Sequence, residues 1–497
     1  MGRFALLLAC WTALAAARPD PARTAVLANT DQPAGLAIAR EFMAHRGIPA
    51  ANLIALPLGR SETLEWKDYA TRVLGPLRSR LLATGLLEGK LEETADARGR
   101  AGFIPTGATR LQWLVLVHGV PLKMAPSGLK GLNPANPVKG DHASLDSELA
   151  LLALPNLEPE GARPNPWFGR ADAEAEGVIR TARLDGASPE TVLAALRGAW
   201  SAEAKGLRGR AYVDLGGPYQ EGDDWFRACL APLRELGFPP DVEETKEQFP
   251  ATARGDAPAF YLGWYSQKPA GKFGQKPTRL APGAIALHLH SFSAASLHIP
   301  EANWAPWLVE QGAGLTFGNV YEPYLSLTVR PERLLKGLRD GMSAGEAAWF
   351  ATPAVSWQGI ILGDPFYQPF AVTLEAQVRA ASAKEALGDY ALLRHFSLLP
   401  HPLGAEDLRR LQAAADESGR LALRLACAQA EQAAGVTRPW EDPLDLSAEE
   451  GGLIAEAARF VEAHFGAKKA QKLRAELEKR PAWANPARPG TEKAPGK

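Results

Sequence analysis

Short apolar runs alternate with longer amphipathic stretches along most of the chain. The runs "TAVLAN", "NLIALPL" and "LQWLVLVHG" are apolar at consecutive or alternate positions, which is typical of buried β-strands. Between them, stretches such as "PAGLAIAREFMAHRG" carry apolar residues at helical spacing. The alternation resumes with "IRTARLDG" and continues to about Phe370. This order predicts an α/β fold with mainly parallel, doubly wound sheets.

The pattern divides into two α/β halves and a helical extension. Ser188 is the predicted N-cap of a helix that begins "SPETVLAALRGAW", and we place the boundary there. We predict an N-terminal α/β subdomain over 18–187 and a second over 188–370. Residues 371–480 contain several Ala/Leu/Glu/Arg-rich stretches with helical period, which predict a helical extension. The Pro-rich segment 481–497 is predicted to be a disordered tail.

The first residues have the pattern of a signal peptide. Arg3 precedes the apolar run "FALLLACWTALAAA", which is too short to span a bilayer and ends in small residues. We therefore predict a signal peptide over 1–17 and export to the periplasm or the extracellular space after cleavage. A buried N-terminal helix is the alternative. A lipoprotein signal ending at Cys10 is a minor alternative, because the apolar run continues past that residue.

Composition narrows the class of protein further. The chain has 497 residues, enough for two or three domains, and its formal net charge is -1. It lacks the basic footprint of a nucleic-acid-binding protein. No later segment is long and apolar enough to be a transmembrane helix. Cys229 and Cys427 lie within helical patterns, which predicts small core residues rather than a disulfide framework.

In open parallel sheets, ligands meet the loops beyond the carboxyl ends of the strands. This rule, with one helix after a long loop, selects the ligand-binding candidates His118, Asp146, Trp264, Tyr265, Ser293, Asn319 and Tyr321. It also selects the catalytic candidates His290, Ser291 and Glu322. We expect the strand before His290 to lie beside the strand that ends at Asn319, because consecutive strands are usually neighbours. A carboxylate such as Glu322 or Asp146 would then orient the imidazole.

The stretch "GAIALHLHSFSAAS" gives two chemical hypotheses, of which the first is a nucleophile. Ser291 or Ser293 would attack, with His290, His118 or His298 as the base. No G-x-S-x-G pattern surrounds either serine. We favour the alternative, in which both serines cap or turn the chain after the strand.

The second hypothesis is a divalent metal ion. His288 and His290 are two positions apart on one strand face, and Glu322, Asp146 or His298 would complete the ligand set. The H-E-x-x-H pattern of many zinc sites is absent. We favour two imidazoles hydrogen-bonded beneath a helix, and we predict no other cofactor.

Several motifs occur together in a fixed order between Thr24 and Phe370. They include "LVLVHGVPLKM", "SLDSELALL", "GAIALHLHSFSAASL" and "SWQGIILGDPFYQPF". Together they closely resemble an uncharacterised family of exported bacterial proteins, whose activity is not established. The resemblance implies export but no reaction.

The second half also resembles, more distantly, the caspase-like fold of gingipain-type and CHAT-type cysteine peptidases. The similarity is carried by "GAGLTFGNVYEP", "LLKGLRDGMSAGEAAW" and "ILGDPF". In those families one strand ends in His-Gly and the next in the nucleophilic Cys. The corresponding positions here are Gly263-Trp264 and His290-Ser291, so the Cys/His pair is missing.

The resemblance therefore implies a peptidase-like fold that is not a cysteine peptidase. We expect a non-catalytic protein that binds an extended peptide or a cell-envelope component. The alternative is a hydrolase that uses Ser291 or a metal held by His288 and His290.

Overall fold

The computed structural model describes residues 19–127, 140–158, 161–171, 177–276, 279–381, 387–443 and 445–480. The predicted signal peptide, including Cys10, and the predicted tail over 481–497 lie outside the described residues. The fold is α/β, with mainly parallel strands and a C-terminal helical part. Among the described residues, no helix is both long and apolar enough to cross a membrane.

The chain forms two compact units, each built from two separate segments. Unit 1 contains the chain up to Leu193 together with Phe317–Phe370, and unit 2 contains Ala194–Thr316 together with the chain from Ala371 onward. These units do not coincide with the segments predicted from the sequence. Phe317–Phe370 packs with the N-terminal part, and the C-terminal helices pack with Ala194–Thr316.

The strands are numbered in chain order. They are β1 (Thr24–Asn29), β2 (Leu53–Leu56), β3 (Thr63–Leu64), β4 (Gly89–Ala95), β5 (Ala101–Pro105), β6 (Trp113–Val117), β7 (Lys123–Met124), β8 (Arg163–Pro164), β9 (Arg180–Leu184), β10 (Arg210–Asp214), β11 (Pro240–Glu243), β12 (Pro258–Gly263), β13 (Ile285–His288), β14 (Leu315–Asn319), β15 (Ala354–Val355) and β16 (Gly359–Gly363).

The α-helices are numbered in the same way. They are α1 (Ala34–Arg46), α2 (Trp66–Asp68), α3 (Gly75–Ala83), α4 (Leu145–Leu149), α5 (Pro189–Lys205), α6 (Gln220–Glu235), α7 (Trp304–Glu310), α8 (Pro331–Arg339), α9 (Ala344–Ala351), α10 (Leu374–Ala380), α11 (Gly388–Ser397), α12 (Ala405–Ser418), α13 (Leu421–Ala433), α14 (Gly451–Phe465) and α15 (Ala467–Glu478). The predicted N-cap of α5 is present, because Ser188 Oγ accepts a hydrogen bond from the backbone N–H of Thr191 at 3.3 Å.

Unit 1 contains a parallel sheet in the order β16-β9-β6-β1-β2. β1 pairs with β2 and β6, β6 pairs with β9, and β9 pairs with β16, all in parallel. Every residue of β6 and β9 is buried, as the near-continuous apolar run of β6 predicts for a strand covered on both faces. The carboxyl ends of β6 and β9 therefore lie side by side at one edge of the sheet.

Unit 2 contains the parallel strands β11-β10-β12-β13, followed by the start of β14. β13 pairs with β14 through Ile285 and Leu315, as the order along the chain predicts. One face of this sheet carries Tyr212 and Tyr261, which belong to a buried aromatic cluster with Phe273, Trp304 and Trp307.

The C-terminal helices pack onto unit 2 through buried polar contacts as well as apolar ones. Arg394 on α11 donates to the carbonyl oxygens of Leu207 and Leu236 at 2.7 and 2.8 Å. Glu450, the N-cap of α14, accepts a hydrogen bond from Lys272 Nζ at 2.5 Å. The helical segment is thus an integral layer of unit 2.

Candidate functional site

The ends of β6 and β9 bring a histidine and an aspartate together in unit 1. His118 follows β6 directly and Asp185 follows β9 directly. His118 Nδ1 lies 2.8 Å from Asp185 Oδ1, and both residues are buried. The two strands pair in parallel, so residues immediately beyond their carboxyl ends are neighbours.

The Asp185 carboxylate is held from several directions. Its Oδ1 accepts a hydrogen bond from the backbone N–H of Gly186 at 2.8 Å, and its Oδ2 accepts one from Arg183 Nη1 at 3.1 Å. Arg183 is completely buried and also donates from Nη2 to Asp146 Oδ2 at 2.7 Å. Burial alone would lower the pKa of Arg183, but Asp146 and Asp185 raise it. The guanidinium therefore stays charged and fixes both carboxylates.

A backbone turn follows His118, and Asn29 at the end of β1 supports it. Asn29 Nδ2 donates to the carbonyl oxygen of Gly119 at 2.7 Å. Gly119 has φ 87°, and a Cβ at this position would lie 2.6 Å from Gln32 Cβ. Glycine is therefore required here both by the backbone conformation and by the space available.

This arrangement resembles the supported imidazoles of acid–base and metal sites. A carboxylate bonded to Nδ1 fixes the tautomer and orientation of the ring, so that Nε2 carries the chemistry. His118 was among the sequence-predicted residues, but Asp185 was missed. The signal was available, because "RLDG" places Asp185 directly after a strand, just as "LVHG" places His118.

The other unit 1 candidates have mainly structural contacts. Asp146 binds Arg183, as described above. The hydroxyl of Tyr321 donates to the carbonyl oxygen of Met124 at 2.9 Å, and burial raises its pKa to about 12. Glu322 accepts a hydrogen bond from the backbone N–H of Tyr324 at 3.3 Å. Asn319 is the last residue of β14 and is buried.

His288, in unit 2, has both ring nitrogens in hydrogen bonds. Its Nδ1 lies 2.9 Å from the hydroxyl of Tyr261, and its Nε2 accepts the backbone N–H of Ser266 at 3.0 Å. The ring stacks on Trp304 with centroids 3.8 Å apart. Burial lowers its pKa, which keeps the ring neutral. This geometry does not support the metal hypothesis, since neither nitrogen of His288 is left for an ion.

The serine region also differs from the nucleophile hypothesis. β13 ends at His288, so His290 lies in the turn beyond the strand rather than at its last position. His290 Nδ1 lies 2.5 Å from the carbonyl oxygen of Ser291, and thus contacts the backbone rather than the hydroxyl of that residue. Ser293 is buried, and its carbonyl oxygen accepts the backbone N–H of Ala305 at 2.9 Å. These contacts are those of residues that turn the chain.

Large apolar side chains are exposed in the loops that follow the unit 2 strands. Among the described residues, these side chains are Tyr219, Tyr265, Phe292 and Ile299. Tyr265 packs against the His290 ring with centroids 4.4 Å apart. Neighbouring Trp264 is instead buried, and its Nε1 donates to Asp223 Oδ1 at 2.7 Å.

Phe292 combines exposure with an uncommon backbone conformation. Its side chain is 46% exposed, and its φ is 58°. A bulky residue other than glycine rarely adopts this left-handed region, because Cβ crowds the backbone there. Such strain concentrates at functional positions.

One buried acid at this end of unit 2 was not predicted. Asp214 is the last residue of β10, and its carboxyl oxygens make no hydrogen bond of good geometry within the described residues, although the backbone N–H of Phe249 lies close enough to act to lower its pKa. Burial raises its pKa to about 8. At neutral pH the group is therefore mostly uncharged.

The two described cysteines do not form a thiolate site. Cys229 is completely buried on α6, where its Sγ donates to the carbonyl oxygen of Trp225. Burial, reinforced by Glu431, raises the pKa of Cys427 to about 12. Neither follows a strand, and the raised pKa of Cys427 keeps its thiol protonated.

Comparisons with family models, curated proteins and solved structures give no match to this chain.

Proposed function

We propose that unit 2 binds an extended peptide across the loops at the carboxyl ends of its parallel strands. The observation that carries this proposal is Phe292, an exposed aromatic side chain held in a strained backbone conformation in the loop after β13. Exposed apolar side chains grouped beside a sheet end are typical of interaction sites. Tyr265, Tyr219 and Ile299 extend the apolar surface around it.

The chemistry of this surface favours a peptide over a carbohydrate. Carbohydrate-binding surfaces rely on flat aromatic faces with hydrogen-bonding groups at their edges. Here Phe292 has no hydrogen-bonding group, and Ile299 has no flat face. Aromatic and aliphatic side chains together suit the mixed side chains of a polypeptide, and two tyrosines can add hydroxyl contacts to its backbone.

Fluorescence anisotropy with labelled peptides tests the proposal. A peptide rich in Leu and Phe should bind more tightly than a Gly/Ser peptide of the same length. Tyr265→Ala and Phe292→Ala should each weaken this binding about tenfold, which corresponds to about 1.4 kcal/mol. Leu398→Ala is the control, because Leu398 is also 46% exposed in unit 2 but lies at the end of α11.

The proposal fails if the three variants bind the peptides alike. It also fails if insoluble peptidoglycan retains the protein while neither peptide binds, because the ligand would then be a cell-envelope polymer.

A second candidate function is supported by the His118–Asp185 pair. We propose hydrolysis, with His118 as general base and Asp185 as the positioning carboxylate, in place of the Ser291 and metal hypotheses. A hydrogen bond of 2.8 Å and a carboxylate fixed by Arg183 hold the ring in one orientation. General bases of this kind contribute about 10²–10⁴-fold to a rate.

A panel of fluorogenic esters and peptide amides tests this candidate. His118→Gln and Asp185→Asn should each lower the hydrolysis rate by a factor of at least about 100. Unchanged rates in a folded His118→Gln variant would refute the candidate.

The proposal also includes export and a gingipain-like arrangement of doubly wound subdomains. The apolar run over 1–17 and the ordered motifs between Thr24 and Phe370 support it. Mass spectrometry of the protein recovered from the periplasm of an expressing bacterium should give the mass of a chain cleaved near Ala17. Recovery of the full-length chain from the cytoplasm would contradict export.

A further inference from the structure

Unit 1 contains a pocket lined by three arginines. Its lining residues come from α3 and the helical turn before it, α4, the β4–β5 hairpin, residues 151–158, Arg163 and Ser356. It is small and partly open, and the space not filled by protein atoms, counted together with adjoining open solvent, is about 330 Å³. The polar lining consists mainly of Tyr69, Arg78, Arg100, Glu148, Asn156 and Arg163.

Two of the guanidinium groups carry N–H groups without acceptors. Arg100 is only 4% exposed and donates from Nε to Asp96 Oδ2 at 2.7 Å, but its buried Nη2 has no hydrogen-bond partner among the described residues. Arg163 donates from Nη2 to the carbonyl oxygen of Glu158 at 2.5 Å, and its buried Nε has no partner within the same part of the chain. Buried charged donors normally find acceptors, because an unmade hydrogen bond is costly.

Arg78 provides a contrast within the same pocket. All three of its side-chain nitrogens donate, to the carbonyl oxygens of Leu152 and Leu154, to that of Ala101 and to Asn156 Oδ1. The nitrogens of this guanidinium therefore bond to protein acceptors around the pocket rather than to a ligand. The donors that lack acceptors belong to Arg100 and Arg163.

Glu148 and Tyr69 complete the polar lining. Glu148 Oε1 accepts a hydrogen bond from the hydroxyl of Ser356 at 2.5 Å. Burial raises the pKa of Glu148, although Ser356, Arg100 and Arg163 act to lower it. Burial also raises the pKa of the Tyr69 phenol, which therefore stays protonated and available as a donor. The pocket thus has more positive than negative charge, because Glu158 is the other carboxylate in its lining.

We propose that this pocket binds a small monocarboxylate, with the size of formate or acetate. Its two oxygens would accept hydrogen bonds from Arg100 Nη2 and Arg163 Nε, with the Tyr69 hydroxyl as a further donor. A carboxylate has two oxygen atoms, so it can accept hydrogen bonds from two separate guanidinium groups. A halide is a single atom and is less suited to bridging them. A monoanion also matches the modest excess of positive charge better than a phosphate dianion does. This proposal does not depend on the proposed function of unit 2.

Isothermal titration calorimetry with sodium acetate, at constant ionic strength in sodium chloride, tests the site. Acetate should give a saturable heat and a matching rise in Tm, since a ligand that binds only the folded state stabilises it. Arg163→Gln should weaken acetate binding at least about tenfold. Arg170→Gln is the control, because Arg170 is an exposed arginine of unit 1 outside this pocket.

If Arg163→Gln does not fold, Tyr69→Phe serves as the second variant. It removes only a hydroxyl and should therefore preserve the fold. It should weaken acetate binding several-fold. The proposal is overturned if acetate gives no saturable heat, or if chloride or inorganic phosphate binds at least as tightly. It is also overturned if the folded variants of Arg163 and Tyr69 bind acetate as the unmodified protein does.

Discussion

Tyr390 Oη donates a hydrogen bond to Asp256 Oδ2 at 2.6 Å, which ties α11 to the chain just before β12. The same carboxylate accepts from Arg254 Nε at 2.5 Å, and both Tyr390 and Asp256 are buried. Burial would raise the pKa of Asp256, but Arg254 and Arg210 outweigh it and hold the pKa well below its usual range. The contact between the C-terminal helices and the sheet of unit 2 thus rests on an ionised buried acid.

Tyr390→Phe should lower the free energy of unfolding by about 2 kcal/mol at pH 7, because it leaves a buried carboxylate oxygen with one partner fewer. A lowered folded-state pKa contributes stability above the unfolded pKa of about 4, and this stability is lost as the pH falls further. The hydroxyl of Tyr390 helps to lower that pKa. Urea unfolding at pH 7 and pH 3 should therefore show a smaller difference in the variant, and an equal or larger difference would contradict this role.

Asp214→Asn should have the opposite pH dependence. The folded-state pKa of Asp214 is raised to about 8, so the fold favours the neutral acid, and stability falls as the pH rises from about 4 through 8. Asparagine stays neutral, so the variant should lose less stability between pH 5 and pH 9 than the unmodified protein. Asp224→Asn is the control, because Asp224 is exposed on α6 and should leave the slope unchanged. If the free energy of unfolding depends on pH with the same slope in all three proteins, the pKa of Asp214 is not raised in the folded state.

Asp146→Asn should destabilise unit 1 strongly, because Asp146 accepts three hydrogen bonds from the fully buried Arg183. Removing one partner of a buried ion pair costs about 3 kcal/mol or more. Chemical denaturation measures this loss. In an Arg183→Met background the same substitution should cost much less, and equal costs in both backgrounds would show that the pair is not coupled.

Replacing Phe292 should separate backbone strain from binding. Asparagine tolerates a positive φ, whereas alanine retains the strain. Phe292→Asn should therefore be about 1 kcal/mol more stable than Phe292→Ala, although both lose the exposed ring. Thermal unfolding of the two variants measures the difference, and equal stabilities would mean that the conformation stores no strain.

Cys229 and Cys427 should resist alkylation in the native protein. Both are buried, and the pKa of Cys427 is raised to about 12, so little thiolate forms. Peptide mapping after iodoacetamide treatment should find both unlabelled without denaturant and labelled in urea. Rapid native labelling of either residue would reopen the possibility of a thiol nucleophile.

Local patterns in the sequence were sufficient to identify strands and caps. The apolar run before His118 predicted a buried parallel strand, and Ser188 predicted the start of α5, because both signals depend on neighbouring residues only. The rule that ligands bind beyond the carboxyl ends of parallel strands selected His118 as a ligand-binding candidate. These features follow from periodicity and capping chemistry, which the sequence expresses directly.

Contacts between distant parts of the chain could not be predicted in this way. The partner of His118 is Asp185, and finding it requires the knowledge that β6 pairs with β9 across two intervening strands. Alternation places His288 and His290 on one strand face, but the hydrogen bonds of His288 come from Tyr261, on a neighbouring strand, and from Ser266, in the loop after that strand. The sequence pattern predicts which face of the sheet a side chain lies on. The order of the strands in the sheet determines which residues that side chain contacts.

The interleaved composition of unit 1 has a consequence for its synthesis on the ribosome. β9 pairs with β16, which leaves the ribosome only after the first segment of unit 2, Ala194–Thr316, has been made. Until then, β9 presents an unpaired edge along a strand that is buried in the folded protein, and such edges promote aggregation. A nascent chain that stops before Gly359 would keep that edge exposed permanently. Newly made protein should therefore depend on chaperones until β16 has emerged.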